Sequence, residues 1–282
     1  MKNIKINQKI MTKNLLFTIV IANYNHGRFI EQAILSVVNQ TFKNFELIVI
    51  DAESNDNSVE VIKKYSDNIT WWVSEPDSGQ SEAFNKGFRK AKGKYLFWLN
   101  ADDVLLKNSL SIVNDFLEKN IDIDWISGNT IYYDVEGFIK KCTNGPSWNN
   151  LAFKNGPINI YGPTSIFSKK IFDKVGGFDE SLHFGMDTDL WLRFKANGFK
   201  FMKIKQYFWG FRVHEDSKTS HAFSTNQSNS FKTESRRIRL KNNVKHNNFG
   251  VYFQQLIKLI NGNYIKSFID SKRYYNKNIK NY

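Results

Sequence analysis

Along residues 17–119, short uninterrupted apolar runs alternate with amphipathic stretches. FTIVIANYN from Phe17, which runs into a polar loop, FELIVIDAES from Phe45, ending at Asp51, ITWWVSE from Ile69 and KYLFWLN from Lys94 are rich in β-branched and aromatic residues. They lack polar alternation, as strands buried on both faces do. Between them, RFIEQAILSVVNQ places Ile30, Ala33, Ile34, Val37 and Val38 on one helical face. DNSVEVIKKY, GQSEAFNKGFRKAKG and NSLSIVNDFLEK are further helical stretches, the second expected to close at Gly93. This alternation predicts an α/β fold, a mostly parallel sheet covered by helices on both faces. Such sheets bind ligands at the carboxyl ends of their strands. Asp51, Glu75 with Asp77, and Asn100 to Asp103 all fall just past strand ends.

After about Asn120 the pattern changes. DWISGNTIYYD and GFIKKC predict antiparallel strands joined through Val135, Glu136 and Gly137. DTDLWLRFKANG predicts a helix with acids in its first turn and Gly198 at its end. Polar residues from His214 to about Asn229 predict a mobile loop, and two helical stretches follow, VYFQQLIKLI among them.

A chain of 282 residues suits one large α/β domain with a tail. The boundaries read as a leader over 1–16, a main domain over 17–220 with halves at 17–119 and 120–220, and a basic loop and helical tail over 221–282. The leader lacks a small-residue cleavage site, and no apolar run reaches the length of a membrane span. The single cysteine, Cys142, excludes a disulfide framework and a Cys-based metal site, so a reducing cytoplasm is the simplest compartment. The formal charge of +13 is unevenly placed: from Ser230 onward twelve Lys/Arg face two acids. Such a patch meets anionic lipid, nucleic acid or solvent alone. Its separation from the acidic strand ends argues against nucleic acid as a substrate. Neither G-x-G-x-x-G nor a phosphate-cradling G-x-x-x-x-G-K-[ST] is present, which argues against dinucleotide and P-loop versions of the fold.

YLFWLNADDVLL, Tyr95 to Leu106, ends an apolar run in Asn100 and the pair Asp102–Asp103. That is a turn or helix cap, or a site for a hard cation, because adjacent carboxylates repel unless compensated. In MDTDLWLRF, Asp187 and Asp189 either complement a helix dipole or place a general base over a pocket. SEPDSGQSEAFNKG supplies Asp77, Gln80, Asn85 and Lys86, either as a loop with its helix cap or as groups facing a ligand. His214 in FRVHEDSKTS is a candidate metal or phosphate contact, although a lone His is more often neither.

In order, TIVIANYNHGRFIEQAILSVVNQTFKNFELIVIDAESND, SEPDSGQSEAFNKGFRKAKG, WLNADD and GGFDESLHFGMDTDLWLR resemble the family 2 glycosyltransferases. The resemblance covers about Phe17 to Thr219. It implies a GT-A-type, Rossmann-like sandwich with a mostly parallel central sheet, carrying here a basic helical C-terminal extension. It also implies inverting transfer from a nucleotide-sugar, for preference a UDP-sugar, with Mn2+ or Mg2+. Ala22 and Tyr24 then lie against the base, and Asp51 helps hold uridine, although Ala52 replaces the usual second acid. Asp77, Gln80, Asn85, Lys86, Asn100 and Asp189 join the donor site. Asp102, Asp103 and His214 are expected at the metal, with Asn100 replacing an acid, and Asp187 as catalytic base, with Met186 where relatives often have Glu. His214 to Ser220 would begin a loop closing on the diphosphate. By analogy the acceptor is a bacterial surface glycan, such as a polyisoprenyl-diphosphate-linked one in O-antigen or capsule synthesis, and the tail would hold the enzyme peripherally at an anionic membrane. The competing readings are a nucleotidyltransferase, which would use the same acids, and a nucleic-acid-binding protein using the tail.

Overall fold

The computed structural model describes residues 15–145, 158, 160, 162–215, 217, 228–245 and 247–282. Residues 1–14 of the expected leader, and most of the loop expected after His214, lie outside them. The first half alternates β1 (Phe17–Asn23), α1 (Gly27–Val38), β2 (Phe45–Asp51), α2 (Ser58–Lys64), β3 (Trp71–Ser74), α3 (Gln80–Lys90), β4 (Tyr95–Asn100), β5 (Val104–Leu105) and α4 (Ser109–Lys119). The second half contains β6 (Trp125–Tyr133), β7 (Ile139–Thr143), β8 (Ser165–Ser168), α5 (Lys169–Val175), α6 (Met186–Ala196) and β9 (Phe201–Arg212). Then come α7 (Ser228–Lys241), α8 (Asn248–Ile260) and α9 (Asn263–Tyr274).

These strands form one sheet in the order β3-β2-β1-β4-β8-β6-β9-β5, with β7 paired to β6. β3, β2, β1 and β4 are parallel, and β6 pairs parallel with β9. β8, β5 and β7 join antiparallel. Side chains alternate across the pleat. Phe17, Ile19, Ile21, Phe97 and Leu99 therefore pack with α1 and α4 on one face, while Val20, Leu96 and Trp98 pack with α3 and α6 on the other. Each such burial contributes about 1.5–3 kcal/mol. The second face is aromatic: the Trp125 and Trp191 rings stack at 4.6 Å, and Trp191 also stacks on Trp98 at 5.8 Å.

The hairpin at Val135–Gly137 and the stop at Gly198 are as expected. Gly198 has φ +74°, and the Phe199 and Gly198 N–H groups donate to Phe194 O and Lys195 O. This double bond pattern is the glycine-closed helix end. Gly93 has a different task from the one expected. α3 ends at Lys90, and Ala91 is already extended. A Cβ on Gly93 would lie 2.5 Å from the Phe17 carbonyl carbon and the Thr18 nitrogen. Glycine is needed there for close approach to β1. Among the described residues the C-terminal region holds three α-helices where two were expected, and it is built into the fold. The Lys107 N–H donates to Tyr282 O and the Ile139 N–H to Lys277 O. Ile279 is buried with Val104, Leu106, Tyr133 and Ile139.

Candidate active site

Strand register places the polar residues along one sheet edge. Asn23 stands beside Asp51, Asp51 beside Ser74, and Ala22 beside Asn100. Asp51 is fully buried and ties this edge together. Its Oδ1 accepts from Asn23 Nδ2 (2.6 Å) and Ser54 Oγ (2.6 Å). Its Oδ2 accepts from the Ser54 N–H (3.0 Å) and Ser74 Oγ (2.6 Å). The carboxylate expected at the uridine thus shapes the loop after β2. Ala22 is half-buried, and the neighbouring Tyr24 side chain projects into solvent. Two polar atoms are buried here without a protein partner, Asn23 Oδ1 and Asp77 Oδ2. The other Asp77 oxygen accepts from the Gly79 N–H (2.9 Å), and burial raises the Asp77 carboxyl above the usual range. Two unpaired acceptors at a strand-end edge are what a donor-rich ligand would satisfy. Lys86 stays on this side, pairing with Glu75 at 2.8 Å.

At the end of β4 the two adjacent carboxylates face different ways. Asp103 is turned inward and is 1% exposed. Its oxygens accept from the Arg212 N–H (3.0 Å) and from Asn100 Nδ2 (3.0 Å), and Gln80 Nε2 donates to Asn100 (2.8 Å). Burial, then the Asp102 charge, pushes the Asp103 carboxyl well above its ordinary value. Each oxygen of Asp103, expected at the metal, thus already accepts one hydrogen bond from within the protein. Asp102 is more open, and its Oδ2 lies 3.0 Å from His214 Nε2. His214 packs on Phe29, with ring centroids 4.8 Å apart.

Beneath the pair sits Arg212, at the end of β9. Its Nε donates to Asp102 O (2.8 Å), one terminal nitrogen donates to Gln32 Oε1 (2.6 Å), and its guanidinium stacks over Phe29 and Tyr133. Sequence reasoning missed Arg212. Its signal is a lone cation in the apolar FWGFR, two residues before His214.

Asp187 lies in the first turn of α6. A Cβ on Gly162 would clash with Trp98 of β4 at 2.4 Å and come within 3.2 Å of Asp187 Oδ2, so Asp187 and Trp98 both border the Gly162 backbone. The Thr188 N–H donates to Asp187 Oδ1 (2.6 Å), yet burial outweighs this and raises the carboxyl to about 6. The start of α6 is clamped from α7. Glu234 accepts from the N–H groups of His183 (2.8 Å), Phe184 (2.7 Å) and Gly185 (2.7 Å). Glu234 was also missed; it is the only acid in α7.

Two expected donor-site residues are engaged elsewhere. Asp189 is fully buried and pairs with Arg193 (2.7 Å) and Lys241 (3.4 Å), tying α6 to the end of α7. Asn85 exchanges hydrogen bonds with the backbone of Phe178. It borders a cleft of about 500 Å³ lined by Phe88, Arg89, Phe172 and Glu180, which includes no other expected site residue. Among the described residues, no cluster of three His, Cys, Asp or Glu side chains could hold a metal ion. Asp102 and His214 remain as an oxygen–nitrogen pair. This suits an Mn2+ or Mg2+ ion whose other positions are filled by phosphate oxygens and water.

The strand order, with polar groups gathered at the strand ends, is that of a mixed α/β fold of the GT-A type. The fold is shared with Staphylococcus aureus TarS in complex with UDP-GlcNAc, at TM-score 0.64 and 17% identity, over 80% of this chain and 66% of that one. It is also shared with the mannosyltransferase PcManGT from Pyrobaculum calidifontis in complex with GDP-Man and Mn2+, at TM-score 0.56 and 15% identity, over 75% and 60%. An uncharacterised glycosyltransferase of Rickettsia typhi is 30% identical over 222 residues, 76% of this chain and 67% of that protein. One from Methanocaldococcus jannaschii is 30% identical over 207 residues, 70% and 71% of the two chains. Residues 18–176 match the family described as Glycosyl transferase family 2, and the chain belongs to that family.

Proposed function

We propose that the protein transfers a sugar from a nucleotide-sugar, preferably a UDP-sugar, to an acceptor hydroxyl with inversion, and that residues 17–220 carry the reaction. The observation that carries this reading is the Asp102–His214 pair, at 3.0 Å, just past the end of β4, beside which a carboxyl raised to about 6, Asp187, sits at the Gly162 backbone that also meets Trp98 of β4. Asn23 Oδ1 and Asp77 Oδ2 supply buried acceptors for the imino and hydroxyl donors of a nucleoside. Tyr24 offers an exposed ring on which a base can stack. Asp102 and His214 would hold a divalent cation, which when bound stabilises charge on the departing diphosphate. Arg212 holds the backbone beneath Asp102, so the turn needs no reorganisation. Asp187 accepts the acceptor's proton as its oxygen attacks the anomeric carbon, and the single displacement inverts that centre.

The ligands of TarS and PcManGT support a nucleotide-sugar and a divalent cation as the class of donor and cofactor. A bacterial surface glycan, free or linked to polyisoprenyl diphosphate, fits as acceptor. The basic balance after Ser230 favours work at an anionic membrane surface, with the enzyme peripheral on the cytoplasmic face. The deciding experiment measures release of nucleoside diphosphate from UDP-, GDP- and TDP-sugars with and without Mn2+. Cation-dependent release from one of them is expected. Absence of release from all of them, with purified glycan acceptors present, overturns the reading.

A further inference from the structure

Helices α8 and α9 are amphipathic in an inverted sense. α9 turns its polar side to the domain. Ser267 Oγ accepts from the Asn144 N–H (2.9 Å) and Ser271 Oγ from the Cys142 N–H (2.9 Å). Asp270 accepts from the Tyr207 hydroxyl (2.5 Å). Ile265, Phe268 and Ile269 are left on the outer side, with Phe268 59% exposed. α8 behaves alike: Gly250 and Gln254 are its buried residues, while Tyr252, Leu256, Leu259 and Ile260 are exposed, Ile260 at 74%. A surface helix ordinarily buries its apolar stripe. Two adjacent helices that present theirs mark an interaction surface.

Charge identifies the occupant. From Asn247 to Tyr282 there are six cations, Lys258, Lys266, Lys272, Arg273, Lys277 and Lys280, and one acid, Asp270. That acid is turned inward onto Tyr207. Lys272 Nζ lies over the Phe268 ring at 4.5 Å, so cation and apolar groups are interleaved on the outer side. A second copy docking through the same face would bring these cations against one another, because a two-fold interface is self-complementary. An anionic bilayer instead takes the apolar side chains among its acyl chains and pairs its headgroups with the cations. Among the described residues no helix is long and apolar enough to cross a membrane, so the geometry is that of helices lying in the interface. We infer that the outer face of α8 and α9 is a docking surface for an anionic lipid bilayer. The inference rests on the charge-based membrane reading above and names the surface and the apolar residues that would enter the bilayer.

The test is sedimentation of the full chain with vesicles of phosphatidylglycerol and phosphatidylcholine in equal parts, and with phosphatidylcholine alone. The wild type should bind the anionic vesicles at least about tenfold more tightly. I260D/F268D should lose that binding while its thermal unfolding is unchanged, because both side chains already stand in solvent. K266E/K272E should lose it in proportion to the charge removed. Failure of the wild type to sediment overturns the inference, as does undiminished binding by I260D/F268D. A dimer in solution that I260D/F268D dissociates, without vesicle binding, also overturns it. Nucleoside diphosphate release by the same variants in vesicle-free buffer should be unchanged. Vesicle binding without any such release would sink the transferase reading and leave the docking surface standing.

Discussion

Asp187 and Asp102 differ in how their chemistry can be tested. A base must be unprotonated, and burial holds the Asp187 carboxyl at about 6. The turnover rate should therefore climb about tenfold per pH unit below that value and flatten above it. Asp187→Asn should remove this limb and lower kcat by roughly 10²–10⁴ while the affinity for UDP, read by calorimetry, stays within about twofold. At the end of β4, Asp102→Ala should abolish the part of UDP affinity that depends on Mn2+. Asp103→Ala should act mainly on stability. It leaves the Arg212 N–H and the Asn100 amide without their acceptor, at a cost of about 1–3 kcal/mol. Thermal unfolding and Mn2+-dependent affinity, measured on both variants, separate the two roles. Asp102, His214 and Asp187 were legible as candidates because their residue types carry the chemistry. The division between Asp102 and Asp103 was not, since both lie in the turn after β4, whose Asp103 N–H donates to Asn100 O, and adjacency in sequence conceals which side chain that turn faces inward. Asp189 shows the same limit: the helix turn between it and Asp187 directs it to Arg193, which spacing alone does not reveal.

Among the elements, β1 to β4 and the helices between them were legible because buried parallel strands and amphipathic helices leave opposite periodicities. β9 was harder. Its first half, FMKIKQ, is only partly buried, while FWGF is buried against β6 and β5, so no single pattern spans its twelve residues. The clamp by α7 could not be read at all, because it joins Glu234 to backbone groups about fifty residues earlier. Those three N–H groups open the turn into α6, where the helix dipole also favours a carboxylate. Glu234→Ala should free them and loosen the segment that presents Asp187. The expected result is a kcat lowered several-fold with KM for the donor nearly unchanged. Glu234→Gln retains an acceptor oxygen and should recover part of the loss. A fall in thermal stability without any change in kcat would show the clamp to be structural alone.

At the scale of the molecule, composition suggested one large α/β domain with a basic tail, and the last residues of that tail are packed into the sheet. The outward basic and apolar face belongs to α8 and α9, but the residues after them return to the sheet. Ile279 packs with Val104 and Leu106 of the segment that leaves Asp102, and Tyr282 O accepts from the Lys107 N–H. Composition sees only the charge of this region, because the contacts that integrate it are single apolar residues far apart in sequence. Removing residues 230–282 would therefore damage the site as well as any membrane contact, and point variants are the sharper instrument. Ile279→Ala should cost about 2–5 kcal/mol, the range for a buried large-to-small change. Ile62, buried on α2, gives a comparison: Ile62→Ala should cost a similar amount, in a helix remote in sequence from Asp102 and His214. If the C-terminal residues brace the Asp102 turn, the rise in melting temperature on adding UDP with Mn2+ should shrink more in Ile279→Ala than in Ile62→Ala. Equal rises in the two variants would mean that the chain end stabilises the fold without reaching the site.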